Sequence, residues 1–334
     1  MTALVPTKGH AALIDFAREF VGPNGIVDVI VSTRSHEPVA GSLRVMTLKE
    51  HYSRDNVFII EHADDFAPQN PSSRHDWNYW RDVVVGHGEY EYDYLFASEP
   101  YGAKMAELIG AEFIPFDPGR VFETVKGTDV RKHLEYRFDD LLPEFGRRVS
   151  KKVVFFGQES CGKTTMTREM AAEYCSYMTD EWARPYLESM DDKTVTDEKM
   201  HRIAEGQYAL QRVARSKGDR PFVFHDTDLL STIGYGRIYG GEPHPRIEDW
   251  FRVTKADLYV VMNDAVPFVP DPLRYGGDVR ESTRQFWVDL LEEYGCRYHL
   301  VESTGYDETL QELYRVVDDL FGETWKPIRE FERE

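Results

Sequence analysis

The sequence predicts an α/β protein of two domains, each a parallel sheet covered by helices. Three observations predict it. Short apolar runs of strand length alternate with helical patterns along the whole chain, the pattern of parallel strands joined by crossover helices. The chain has 334 residues, more than one hydrophobic core ordinarily organises. The alternation pauses once, at the polar segment Pro143-Glu144-Phe145-Gly146-Arg147-Arg148-Val149-Ser150-Lys151, and then begins again. Domains are therefore expected at 1–146 and 151–334.

In the first half, Thr2–Pro6 reads as a strand. Ala11–Phe20 follows as a helix, with Leu13, Ile14, Ala17 and Phe20 at helical spacing. Val27–Val31, Val57–Ile60, Tyr94–Ala97 and Phe113–Phe116 complete the strands, and Ser42–Tyr52 and Tyr101–Ile109 are helical stretches between them. In the second half, strands are expected at Val153–Phe156, Phe222–His225, Leu258–Met262 and Tyr298–Val301. Helices are expected at Lys163–Tyr174, Asp197–Ser216, Ser231–Ile238, Arg280–Tyr294 and Glu308–Phe321, with Arg329–Glu334 a loose end. There is no internal repeat and no low-complexity tract.

Composition narrows the function classes. A net charge of −19 argues against a dedicated partner of nucleic acid or of an anionic membrane, which needs a basic face. No apolar run is long enough to span a bilayer. With a strand expected at residue 2, there is no room for a signal peptide. The three cysteines, Cys161, Cys175 and Cys296, match neither a metal motif nor a disulfide framework. A reduced cytoplasm is the expected location. The sequence is compatible with a homo-oligomer.

Gly157-Gln158-Glu159-Ser160-Cys161-Gly162-Lys163-Thr164 is a complete G-x-x-x-x-G-K-[ST] loop, with a strand before it and a helix after it. Its glycines let backbone N–H groups curl around a polyphosphate at a helix N-terminus. Lys163 would reach the β- and γ-phosphates, and the Thr164 hydroxyl, with Thr165 beside it, would serve nucleotide and Mg²⁺. Asp226-Thr227-Asp228 follows a strand directly. Asp226 is placed to hold the metal, and Asp228 either faces a substrate hydroxyl or caps the next helix. Further on, Arg280 and Arg284 follow glycines at i and i+4. They form either a phosphate-binding lid or a solvated helix face.

In the first half, Thr7-Lys8-Gly9-His10 ends the first expected strand, and its T-x-G-H pattern is similar to the nucleotidyltransferase signature. Thr7 and Gly9 would lie against the nucleotide, Gly9 permitting close approach, and His10 would donate to phosphate. Gly127-Thr128-Asp129-Val130-Arg131 supplies a second element. Thr128 would cap a helix facing phosphate and Arg131 would bind phosphate.

The second half resembles the ribosylnicotinamide kinase domain of the NadR family. The loop with its Glu159-Ser160 pair, Glu181-Trp182-Ala183-Arg184, Ile203-Ala204-Glu205-Gly206-Gln207, Asp226-Thr227-Asp228 and Pro267-Phe268-Val269-Pro270-Asp271-Pro272-Leu273-Arg274 carry the resemblance. The first half resembles that family's nicotinamide mononucleotide adenylyltransferase domain. There the T-x-G-H and Gly127–Arg131 patterns are joined by Ser98-Glu99-Pro100-Tyr101-Gly102 and Phe116-Asp117-Pro118-Gly119-Arg120. Thr7, Lys126 and Phe268 depart from the family's commoner residues.

The resemblance implies a Rossmann-like nucleotidyltransferase domain followed by a P-loop kinase domain, without the helix-turn-helix module that some relatives carry. It implies ATP-dependent phosphorylation of nicotinamide riboside to the mononucleotide, then adenylylation to NAD and pyrophosphate, with Mg²⁺. Glu181, Asp226 and Asp228 become candidates to accept the ribose hydroxyl proton. Trp182, Arg184, Phe268, Asp271 and Arg274 become candidate substrate contacts, while Trp77 and Trp80 either stack on a pyridine ring or pack in the core. The alternatives are a kinase with a degenerate first domain, or a non-catalytic sensor of NAD or ATP.

Overall fold

A computed structural model describes residues 1–69, 71–88, 91–192, 194–239, 241, 244–265 and 282–331. The chain divides into two compact units. Met1–Arg148 and the chain from Glu323 form the first, and Val149–Gly322 forms the second.

In the first unit β1 (Val27–Thr33) pairs in parallel with β2 (Val57–Ala63), Val27 lying opposite Val57. β3 (Tyr94–Ala97) pairs in parallel with β4 (Glu112–Pro115). Alternate residues of β1, Val27, Val29 and Val31, join Ile14 and Ala17 of helix Lys8–Val21 and Leu48 of helix Gly41–His51 in one buried cluster.

The expected strand Thr2–Pro6 does not form. Ala3 turns the backbone at φ +38°, and only Met1 lies along β1. Its carbonyl accepts from the Ser32 N–H at 2.9 Å, and its amino group donates to the Ile30 carbonyl at 2.7 Å. Leu4 and Val5 are buried all the same, so their apolar character serves the core and not a ladder. The polar segment before the loop strand forms a helix, Pro143–Val149. Pro143 suits a first helical position, Phe145 is fully buried, and Arg147 and Arg148 pair with Glu50.

Among the described residues the second unit carries a five-stranded, all-parallel sheet. β5 (Lys151–Phe156), β6 (Tyr177–Thr179), β7 (Phe222–Asp226), β8 (Leu258–Val261) and β9 (Tyr298–Leu300) lie in the order β6-β7-β5-β8-β9. Val153 and Phe155 enter one buried cluster, and Val154 and Phe156 another. Helices therefore cover both faces, which explains the unbroken apolar runs. β5 lies at the centre, so the loop that follows it emerges between β7 and β8.

The closing helix runs Tyr306–Arg329, beyond the expected Glu308–Phe321. From Glu323 it belongs to the first unit. Trp325 is 2% exposed there, its ring 5.6 Å from that of Phe138 and edge to face. Among the described residues no helix is long and apolar enough to cross a membrane. Trp325→Ala should destabilise the first unit by about 3–5 kcal/mol, the usual cost of truncating a buried Trp. Denaturant unfolding of the full chain measures this, and an unchanged transition would mean the last helical turns are dispensable to that unit.

Candidate functional site

The loop after β5 needs glycine at two positions, Gly157 at φ +126° and Gly162 at φ +88°. Helix Lys163–Glu173 begins at once. Lys163 is folded back on the loop, its Nζ donating to the carbonyls of Gly157 at 3.1 Å and Gln158 at 2.6 Å. Thr164 donates its hydroxyl hydrogen to the Asp226 carboxylate at the end of β7. Burial holds the Asp226 carboxyl above the usual range, against the Thr164 hydrogen bond and the Lys163 charge. Among the described residues no cluster of three His, Cys, Asp or Glu side chains is placed to hold a metal. The hydroxyl and carboxylate oxygens of Thr164 and Asp226 still suit Mg²⁺, which takes most of its ligands from phosphates and water.

Asp226, Thr227 and Asp228 form a sharp elbow. Thr227 has φ +77°, a left-handed conformation that a β-branched residue seldom takes. Asp228 then caps helix Leu229–Ile238, accepting from the N–H groups of Leu230 at 3.0 Å and Ser231 at 3.2 Å, while its other oxygen accepts from the Tyr259 hydroxyl at 2.7 Å. Beside the elbow is a cavity of about 80 Å³. Glu181, Arg184, Gln207, Thr227, Tyr235 and Tyr239 are among its lining residues.

The first unit has a larger cavity, about 330 Å³, lined in part by Gly9, His10, Glu99, Arg120, Lys126 and Gly127. Thr7 is buried and caps helix Lys8–Val21. Its backbone N–H donates to His10 Nδ1 at 3.2 Å, and its Oγ1 lies 2.7 Å from the same atom. Because the backbone can only donate, Nδ1 is the acceptor, and the proton of neutral His10 sits on Nε2. The ring rests against Gly127, where a Cβ would stand 2.9 Å from His10 Cε1. Arg120 reaches the cavity from a stapled loop. The Asp117 carboxylate accepts from the N–H groups of Val121, Phe122 and Glu123 at 2.9, 3.0 and 2.7 Å, and Arg120 pairs with Glu99 at 2.9 Å.

Residues 152–309 match a family model described as an AAA domain. Over 262 residues, 75% of this chain, the sequence is 26% identical to the "Trifunctional NAD biosynthesis/regulator protein NadR" of Escherichia coli (strain K12). The aligned part spans 63% of that relative's length. Two crystal structures of NadR protein, one in complex with NR and one with NAD and AMP-PNP, superpose with a TM-score of 0.61 at 20% identity. Each superposition covers 100% of this chain and 96% of the other. The chain has the fold of the NadR structures.

Within this NadR-type fold, several side chains stand apart from their expected places. Gly9 lines the cavity and also makes room for the protein's own backbone, since a Cβ there would lie 2.1 Å from the Val125 carbonyl oxygen. Thr7 lines the cavity and also orients His10. Thr128 is exposed and caps nothing; the cap of helix Gly127–Lys132 is Lys126. Arg131 donates to the Phe331 carbonyl at 2.6 Å and is not among the residues lining the cavity. Trp77 does not line it either, and lies on helix Arg74–His87, none of whose residues is fully buried.

In the second unit, Asp228 accepts from two backbone N–H groups and from the Tyr259 hydroxyl, and it does not line the small cavity. Trp182 stacks on Tyr186 at 4.8 Å and does not line the small cavity. Glu159 is buried and accepts from the Ser282 hydroxyl at 3.4 Å, Ser160 turns at φ +53°, and Thr165 is exposed. Arg284 is no lid residue in this conformation: its Nη2 donates to the carbonyls of Val301 at 2.7 Å and Val261 at 3.3 Å, tying the ends of β9 and β8. Arg280, Phe268, Asp271 and Arg274 lie outside the described residues. Sequence reasoning missed Tyr235 and Tyr239 in the small cavity, whose i,i+4 spacing after the Asp-Thr-Asp elbow was the available signal.

Two buried groups at the elbow make opposite contributions to stability. Burial, helped by the Lys152 charge, pushes the His225 imidazole down to about 3 from 6.5. Its contribution is full above about pH 6.5 and is lost as pH falls, because the unfolded chain then binds the proton. Burial also pushes the Asp228 carboxyl up to about 6 from 3.8, against its hydrogen bonds. That contribution is full below 3.8 and is lost as pH rises through 6. Asp228→Asn keeps a cap but removes this compensation. Its stability in urea unfolding should fall more steeply than the wild type's between pH 6 and 4, by up to about 1.4 kcal/mol per pH unit. Parallel slopes would rule out the Asp228 proton.

Proposed function

We propose that this chain is a bifunctional enzyme of pyridine nucleotide salvage. Its second unit phosphorylates nicotinamide riboside with ATP, and its first unit joins the resulting mononucleotide to AMP from a second ATP, yielding NAD and pyrophosphate. The observation that carries the reading is the hydrogen bond from Thr164, in the phosphate loop, to Asp226, beside a cavity that presents Glu181 and Arg184. The relatives' names and the ligands of the solved NadR structures support the choice of substrates.

In the kinase step Lys163 leaves the Gly157 and Gln158 carbonyls for the β- and γ-phosphates. Magnesium, held through Thr164 and Asp226, would neutralise charge on the transferring group. Glu181 orients the ribose 5′-hydroxyl and takes its proton as the γ-phosphoryl group moves to that oxygen and ADP leaves. Asp228 is unsuited to this, being committed to the helix cap. The aromatic faces of Tyr235 and Tyr239 suit a cationic pyridine ring.

In the transfer step a phosphate oxygen of the mononucleotide attacks the α-phosphorus of ATP, and pyrophosphate departs. The attacking group is already ionised, so positioning and charge do the work. His10 donates from Nε2, and Arg120 and Lys126 supply positive charge at the cavity. One observation favours a second reading, a kinase beside an inactive first unit: Arg131 is held by the Phe331 carbonyl and does not line the cavity.

Chromatography with mass detection, after incubation with riboside, ATP and Mg²⁺, separates the readings. Wild type should form NAD. Lys163→Ala should lose roughly 10²–10³-fold in mononucleotide formation yet still make NAD from supplied mononucleotide. His10→Ala should accumulate mononucleotide, its second step slowed by a similar factor. Mononucleotide without NAD from wild type would favour the kinase-only reading, and neither product would sink the salvage function.

A further inference from the structure

Gln207 sits on helix Asp197–Ser216 and is 2% exposed. Its Oε1 accepts the Trp182 backbone N–H at 2.9 Å, and its Nε2 donates to the Thr227 carbonyl at 3.3 Å. The amide can face only one way, since a backbone N–H must meet oxygen and a carbonyl must meet NH₂. Each bond falls one residue beyond a carboxylate of the proposed kinase site. Glu181 precedes Trp182, and Asp226 precedes Thr227.

The surroundings show what this bridge is for. Thr227 is held at φ +77°, a conformation that persists only where neighbouring contacts over-determine it. Asp226 is tied to Thr164 on one side, Asp228 to the next helix on the other, and Gln207 takes the carbonyl between them. The same helix grips Trp182 a second time. A Cβ at Gly206 would stand 2.1 Å from the indole, so the ring rests directly on the helix backbone. One turn of helix thus fixes both the segment that carries Glu181 and the elbow that carries Asp226.

We propose that Gln207 is a positioning residue for phosphoryl transfer, its amide setting the proton-accepting carboxylate at 181 against the metal-side carboxylate at 226. This rests on the kinase reading of the site. Acceptor and phosphoryl group must align for the reaction, and a misplacement of about 1 Å costs about a hundredfold in rate.

The test uses the full chain with Mg-ATP and nicotinamide riboside, measuring kcat and both KM values from pH 5.5 to 8. Gln207→Met removes both hydrogen bonds at similar volume. Its kcat should fall about a hundredfold, while KM for ATP stays within about twofold because the phosphate loop is untouched. Gln207→Glu keeps the acceptor for Trp182 and loses the donor to Thr227. As pH falls and the introduced carboxyl gains a proton, it can donate again, so its kcat relative to wild type should climb. Wild-type kcat in Gln207→Met, or a Gln207→Glu ratio flat across pH, overturns the proposal. Loss of the cooperative unfolding transition in both variants also overturns it, making Gln207 a residue of the fold alone. A wild type that does not phosphorylate the riboside is a different failure, which removes the kinase reading and this role with it.

Discussion

The parallel pairing of β5 with β7 is the constraint on which the second unit depends. Phe155 lies opposite Asp226, so the two strands end almost level at the middle of the sheet. The loop leaving β5 and the elbow leaving β7 therefore rise side by side, and the Thr164 hydroxyl meets the Asp226 carboxylate. That position is also the costly part of the fold. Asp226, Asp228 and His225 are all buried at one strand end, and each needs partners to offset lost hydration. Thr164 serves Asp226, two backbone amides and Tyr259 serve Asp228, and Thr179 lies 2.7 Å from His225 Nδ1.

In the first unit the cavity is built by residues that act through others. Thr7 orients His10, Gly9 admits the Val125 backbone, and Asp117 staples the loop that brings Arg120 in. Buried Arg44 pairs with Glu37 and donates to the Thr2 carbonyl at 2.8 Å. That contact, with Met1 against β1, holds the N-terminal residues in place without a ladder.

Much of this was legible in the chain. Tyr94–Ala97, Tyr101–Ile109 and Asp197–Ser216 form as their periodicity requires, and the remaining expected strands and helices differ mainly at their ends, apart from Thr2–Pro6. The phosphate loop was legible because its backbone conformation demands glycine at fixed positions. Thr2–Pro6 misled because a buried apolar run looks alike in a strand and in an irregular segment, and burial decides its composition in both. The helix Pro143–Val149 was hidden by its charges, which face Glu50 and solvent while a single Phe145 enters the core.

By itself the sequence determined the two α/β halves and the phosphate loop, because local periodicity and glycine geometry are properties of neighbouring residues. The tertiary structure alone decided which of the motif residues face a cavity. Asp228 turned to a helix cap, Arg284 to the sheet ends and Arg131 to the Phe331 carbonyl, while Gln207, Arg120, Tyr235 and Tyr239 came to the sites. The reason is physical: a side chain's partner is set by contacts between segments far apart in the chain, and a buried polar group takes the nearest partner that can satisfy it.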